Sequence, residues 1–179
     1  MGIAKSPSLV KMFVGITYNN FVDLDCILTL IDSRFGPREM TWGPLPFNWT
    51  EYYSDEMGTG LFKIYIIYKN LENREQLADA KLFTNELECR FAVNNKRNVN
   101  IDPGYLAKDK LVLATTKDFY HRLYLGKGIY AEVTLHYRKG RYRYFSWTYP
   151  DFREENLKRF LEKPRASLVK YLRDSKTCS

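Results

Sequence analysis

The sequence predicts an α+β protein built on a largely antiparallel sheet with helices on one face. Three observations carry that prediction. Strand-like and helix-like runs alternate through the first half of the chain, and consecutive strand-like runs and a closing helix follow. Two glycine-centred linkers, "GKG" at 126–128 and "RKGR" at 138–141, join the late strands as hairpin turns do. The 179 residues, 45% hydrophobic and 16% aromatic, can bury a sizeable core as a single domain over 1–179, with a basic helical segment at about 151–179. A ferredoxin-like opening followed by a β-meander is the expected topology.

The first element is "KMFVGITY", residues 11–18, whose β-branched and aromatic content marks a strand. In "VDLDCILTLIDSRFG" the apolar residues Leu24, Ile27, Leu28, Ile31 and Phe35 recur at helical spacing, and Gly36 and Pro37 stand just past the end. Residues 37–58, rich in rings and prolines, read as a long loop. "GLFKIYIIYKN", residues 60–70, returns to strand character, and "ENREQLADAKLFTNELECRFAV" to helical spacing, with Thr84 or Asn85 as an alternative cap for a second short helix. "VNIDPGYL" reads as a strand ending in a turn at Pro103 and Gly104. Four strand-like runs follow: "KLVLATTK", "HRLYL", "IYAEVTLHY" and "RYRYFSW". From Asp151 the chain turns helical, breaking near Pro164 and resuming through "RASLVKYLRDSK".

Composition excludes several classes. No run of 18 apolar residues exists and the N-terminal residues lack the apolar core of a signal peptide, so a cytoplasmic protein with no membrane partner is expected. Cys26, Cys89 and Cys178 are far apart and outside CxxC spacing, which argues against a disulfide framework and a zinc site. The net charge of +7 is unevenly placed: residues 1–137 balance 16 Lys or Arg against 16 Asp or Glu, whereas residues 138–179 carry 12 against 5. That basic end could meet an anionic partner or simply keep the chain soluble.

The hairpin "HRLYLGKGIYAEVTL", residues 121–135, concentrates the chemistry. With Gly126–Gly128 as its loop, Leu125 faces Ile129, Tyr124 pairs with Tyr130, Leu123 with Ala131 and Arg122 with Glu132. Period two then places Leu123, Leu125, Ile129, Ala131, Val133 and Leu135 on an apolar face, with His121 at its edge, and Arg122, Tyr124, Tyr130, Glu132, Thr134 and His136 on the other. That second face is either a solvated sheet surface with an Arg122–Glu132 pair or part of a site. Asp102, Tyr105 and Lys117 lie shortly upstream, so carboxylates and cations could gather to bind a phosphate or perform acid–base chemistry.

The stretches "FNWTEYYSDEMGTGL", "KLFTNELE", "NIDPGYL", "KLVLATTKDFYHRLYLGKGIYAEVTL" and "WTYPDF" together resemble an uncharacterised bacterial family, a domain of unknown function (DUF4416) with some members labelled GTP-binding protein. The resemblance runs from about Lys11 to about Phe152 and implies no particular activity. By position it singles out Thr50, Tyr52, Tyr53, Glu56, Lys81, Thr84, Asn85, Asp102, Tyr105, Lys117, His121, Arg122, Tyr130 and Glu132, which implies a site rather than a chance surface.

The residues offer no GxxxxGK[ST] loop to wrap phosphates, no GxSxG elbow and no zinc-spaced ligand set. Magnesium held by Asp102, Glu132 or Glu56 together with a substrate phosphate fits that ion's modest demand for protein carboxylates. The expectation is therefore an enzyme or binding protein for a phosphorylated or otherwise anionic small molecule. In it Lys117, His121 and Arg122 bind the ligand, Asp102, His121 and Glu132 are the catalytic candidates, and Tyr53, Glu56, Asn85, Tyr105 and Tyr130 complete the site. Two alternatives stand beside it. One is RNA or DNA binding through the basic hairpin and closing helix, with Arg138, Lys139, Arg141 and Arg143 on phosphates and tyrosines as stacking platforms. The other is a protein-interaction module without a ligand.

Overall fold

The computed structural model describes residues 2–49 and 54–177. An eight-stranded antiparallel sheet runs through it in the order β2-β3-β1-β4-β5-β7-β6, with β8 also paired to β7. The strands are β1 (Val10–Tyr18), β2 (Arg38–Pro46), β3 (Phe62–Glu72), β4 (Val99–Leu106), β5 (Lys110–Thr115), β6 (Leu123–Gly126), β7 (Ile129–Arg138) and β8 (Arg141–Tyr144). The helices are α1 (Leu24–Phe35), the single turn α2 (Ser54–Met57), α3 (Leu77–Arg90) and α4 (Glu155–Thr177). The opening β1-α1-β2-β3-α3-β4 has the spatial order β2-β3-β1-β4, which is the ferredoxin-like arrangement expected from the sequence.

β1 sits at the centre and is buried along its whole length. Its Met12, Val14, Ile16 and Tyr18 join α1 and α3 in one core, while Phe13 joins α4 in a second core on the opposite face. Burial on both faces is why this strand reads as a near-continuous apolar run rather than an alternation. The placement of α4 corrects the expectation of helices on one face. Leu157, Phe160 and Leu161 need an apolar partner, and Phe13, Ile67, Leu106, Leu111 and Leu135 offer one on the side that α1 and α3 leave open. α4 also runs unbroken through Pro164, against the expected interruption, since its packing on both sides of the proline, at Leu161 and Leu168, outweighs one lost backbone bond.

Three further expectations are corrected. Residues 38–46 form an edge strand, β2, instead of loop. Its ladder is interrupted where Gly43, at φ 116, and Pro44 stand, so the alternation that betrays a strand is broken in sequence. The ladder is anchored by Trp42 stacked on Tyr65 and by a two-bond fork from Arg38 to Asp32 of α1. β4 continues through Pro103 and Gly104 without a turn, because a hydrogen in place of a side chain lets the Val112 carbonyl approach to where a Cβ would lie 2.3 Å away. Thr84 lies inside one continuous α3, where its hydroxyl donates to the Lys81 carbonyl.

The late strands are not a simple meander, since β7 inserts between β5 and β6. Tyr124 pairs with Tyr130 and Leu123 with Ala131 as expected, but the turn has two residues, Lys127 and Gly128, both at positive φ. Gly126 therefore faces Ile129, and Leu125 falls in the irregularity. Leu123 and Leu125, assigned to the buried face, are 73% and 44% exposed because β6 is a free edge with no layer over it.

Candidate functional site

The ladder between β4 and β5 covers only Gly104–Leu106 against Leu111–Leu113. Pro103, with no N–H to donate, stands where it stops. Beyond it two side chains of α3 take the place of a strand: Glu88 accepts from the Ile101 N–H at 2.8 Å and Lys81 donates to the Ile101 carbonyl at 2.8 Å. The buried N–H and carbonyl of Ile101 are thereby satisfied on the side where β5 no longer pairs, and the sheet opens into a cavity of about 590 Å³. Such a volume lies within the range typical of small-molecule sites.

Charged side chains from distant parts of the chain converge on this cavity. Lys63 of β3 donates to Asp151 Oδ2 at 2.5 Å, and the Tyr65 hydroxyl donates to the same oxygen at 2.8 Å. The Lys63 ammonium also lies about 5 Å from the ring centres of Phe47, Tyr65 and Phe152. Arg97 holds Glu56 through two 2.7 Å bonds and reaches Glu88 and Asn100 with its other nitrogen. Asn100 in turn donates to Asp102 at 2.8 Å, and Lys81 stands 3.5 Å from Asp102. On the far wall Glu132 accepts from Arg122 at 2.9 Å and lies 3.2 Å from His121 Nε2. Arg122 is pinned further by the Lys117 carbonyl and the Tyr149 hydroxyl, so its guanidinium is held at a fixed place on the rim.

Burial ranks these carboxylates. Glu132, Asp151 and Glu88 have side chains 2%, 4% and 7% exposed, against 29% for Asp102. Asp102 is thus the acid a ligand could reach, while the other three lock cations in place. The Arg97 hydrogen bonds hold the Glu56 carboxyl below its ordinary range, and Glu56 holds Arg97 protonated. Burial, followed by the Glu132 charge, pushes the Tyr149 phenol up, so its hydroxyl remains a donor at neutral pH. The walls Phe47, Trp49, Tyr149 and Phe152 supply apolar and aromatic surface beside this charge.

Of the residues singled out in the sequence, Asn85, Asp102, Lys117, Arg122 and Glu132 line the cavity, as does Lys81. His121 lies behind Glu132, stacked on Trp147 at 5.0 Å, and so positions the carboxylate instead of sitting on the apolar edge. Glu56 stands behind Arg97. Tyr105 is on the opposite face, against the core of α1 and α3 and the Arg74 guanidinium, because its odd position in β4 points it away from Asp102. Tyr130 packs on Tyr124 outside the cavity. Thr50, Tyr52 and Tyr53 lie outside the described residues. Arg138, Lys139, Arg141 and Arg143 line a separate groove.

Sequence reasoning missed Lys63, Glu88, Arg97, Asn100, Tyr149 and Asp151 as residues of the site. A lysine inside the apolar run "FKIYIIY" was the available signal, since a charge in a buried strand requires a partner. Among the described residues no group of three or more His, Cys, Asp or Glu is placed to hold a metal ion.

The fold and cavity define an α+β protein with a charged, ring-walled cleft where a ferredoxin-like half meets the antiparallel strands that extend its sheet. The chain belongs to the family described as a domain of unknown function (DUF4416), whose model matches residues 8–168. No curated protein and no solved structure matches the chain. No helix among the described residues is long and apolar enough to cross a membrane.

Proposed function

We propose that the cavity binds a small molecule carrying a phosphate or carboxylate group. The observation that carries this reading is the convergence of Asp102, Lys117, Arg122 and Glu132, from four places in the chain, on one cleft of ligand size. Arg122, oriented by Glu132 and Tyr149, and Lys117 contact the anion at the rim. The apolar part of the ligand lies against Phe47, Trp49 and Phe152. Asp102, the most accessible of the carboxylates lining the cavity, is the group available for proton transfer, or for sharing a magnesium ion with a ligand phosphate.

A melting screen of inorganic phosphate, sugar phosphates, nucleotides and dicarboxylates, each with and without magnesium, tests the reading. At least one compound should stabilise the wild-type protein, and the shift should vanish in Arg122→Ala when each variant is compared with its own unliganded state. A wild-type protein that no compound stabilises, or an undiminished shift in Arg122→Ala, would overturn it.

A further inference from the structure

We infer that the groove between β8 and α4 binds single-stranded RNA through its phosphate backbone. This groove, of about 720 Å³, shares no lining residue with the cavity described above. Arg138, Lys139, Arg141, Arg143, Lys158 and Arg159 line it against only Glu155 and Glu162. The chain's whole excess of positive charge lies in the same C-terminal stretch.

Two features of the hairpin point to a ligand rather than to solubility. Arg138 lies directly opposite Arg141 across the two strands. Cations facing each other in a ladder destabilise it, and an anion laid between them reverses the sign of that interaction. The buried Nε of Arg143 also has no acceptor within the protein. A phosphate oxygen held between Arg138 and Arg141 answers the first feature, and an Arg143 side chain that turns its guanidinium outward to a phosphate relieves the second.

The dimensions favour a single strand. The four residues of β8 span roughly 13 Å at 3.3 Å per residue, a length for about two nucleotides, whereas double-helix readers spread over roughly 16 base pairs. Tyr144, 53% exposed at the rim, offers a ring for a base to stack on. Glu155 is already held by Lys158 at 2.5 Å, so Glu162 is the carboxylate that distinguishes RNA from DNA. A carboxylate beside a phosphate strand is repulsive unless it accepts from a donor, and the ribose 2′-hydroxyl is the donor that DNA lacks.

Anisotropy of a fluorescent mixed-sequence 12-mer tests this, using RNA, DNA of the same sequence and duplex RNA over a series of salt concentrations. Single-stranded RNA should bind more tightly than the other two. The exposed pair Arg141→Glu/Arg159→Glu should lower its affinity at least tenfold. Loss of two phosphate contacts should flatten the log–log salt dependence by about 1.4, at roughly 0.7 per contact. Lys5→Glu/Lys69→Glu, which changes the net charge equally at exposed sites elsewhere, should leave binding within twofold. Arg141→Lys/Arg159→Lys should retain most of it. Absence of RNA binding at low salt, equal loss in the two glutamate pairs, or affinity for DNA or duplex as high as for single-stranded RNA would overturn the inference.

Discussion

Replacing Glu88 with alanine should be among the most damaging single changes in this protein, because Glu88 does two things at once. Its Oε1 takes the N–H of Ile101 on the side where β5 no longer pairs with β4, and its carboxylate faces both Lys81 and Arg97. Removing one partner of a buried ion pair costs about 3–5 kcal/mol. Here the electrostatic part falls toward the lower end, since Lys81 keeps Asp102 at 3.5 Å and Arg97 keeps Glu56 at 2.7 Å. An orphaned buried N–H adds about 1–3 kcal/mol. The expected loss for Glu88→Ala is therefore about 4 kcal/mol. Glu88→Gln, which keeps an oxygen for Ile101 but not the charge, should lose about half as much. Glu86→Ala, two residues away and exposed, should change stability by no more than about 0.5 kcal/mol. Urea unfolding followed by circular dichroism measures all three, with equal slopes confirming that the native and unfolded states are otherwise unchanged. A loss below about 1 kcal/mol in Glu88→Ala, or equal losses in the Ala and Gln variants, would refute the idea that this side chain substitutes for a strand.

Gly104→Ala should destabilise the fold by about 3 kcal/mol or more in the same assay, since the new methyl would meet the Val112 carbonyl at 2.3 Å and backbone cannot move aside cheaply. Lys127→Ala should change stability by less than about 1 kcal/mol despite a 2.5 Å contact with Asp79, because those side chains are 60% and 46% exposed. Tyr68 is pushed well above its ordinary value of 10.0 by burial and by Asp32, so above pH 10 the unfolded chain releases a proton that the native state retains. Stability should then fall as pH rises past 10, and in Tyr68→Phe that fall should be shallower by up to about 1.4 kcal/mol per pH unit, measured by urea unfolding at pH 9 to 11.

What could be read from the sequence followed local physics. α1 was legible because its apolar spacing, the Asp23 side chain on the Cys26 N–H and Gly36 at φ 87 all agree. The pairing of Tyr124 with Tyr130 was legible because hairpin turns fix register. β2 was hidden by the glycine and prolines that break its ladder, and the fate of Pro103–Gly104 depended on β5, a partner that local turn chemistry does not report. In the site, Arg122 and Glu132 were legible as cross-strand neighbours, but Lys63 and Asp151 are 88 residues apart and meet only through the packing of a C-terminal turn on β3. Tyr105 was misplaced for the converse reason: nearness in sequence to Asp102 says nothing about which face of the sheet a side chain takes once the strand continues.

Filling the cleft where β4 and β5 part tests most directly whether it is the ligand site. Thr115 lines the cavity without carrying charge, so Thr115→Trp occupies the space and removes no member of an ion pair, at the cost of the hydroxyl that accepts from the Lys117 N–H. For any compound that stabilises the wild-type protein, present at a hundred times its dissociation constant, the gain should be about 2.7 kcal/mol in the wild-type protein and in Arg141→Ala, and should be absent in Thr115→Trp. The same gain in Thr115→Trp as in the wild-type protein would place the ligand elsewhere and contradict the account.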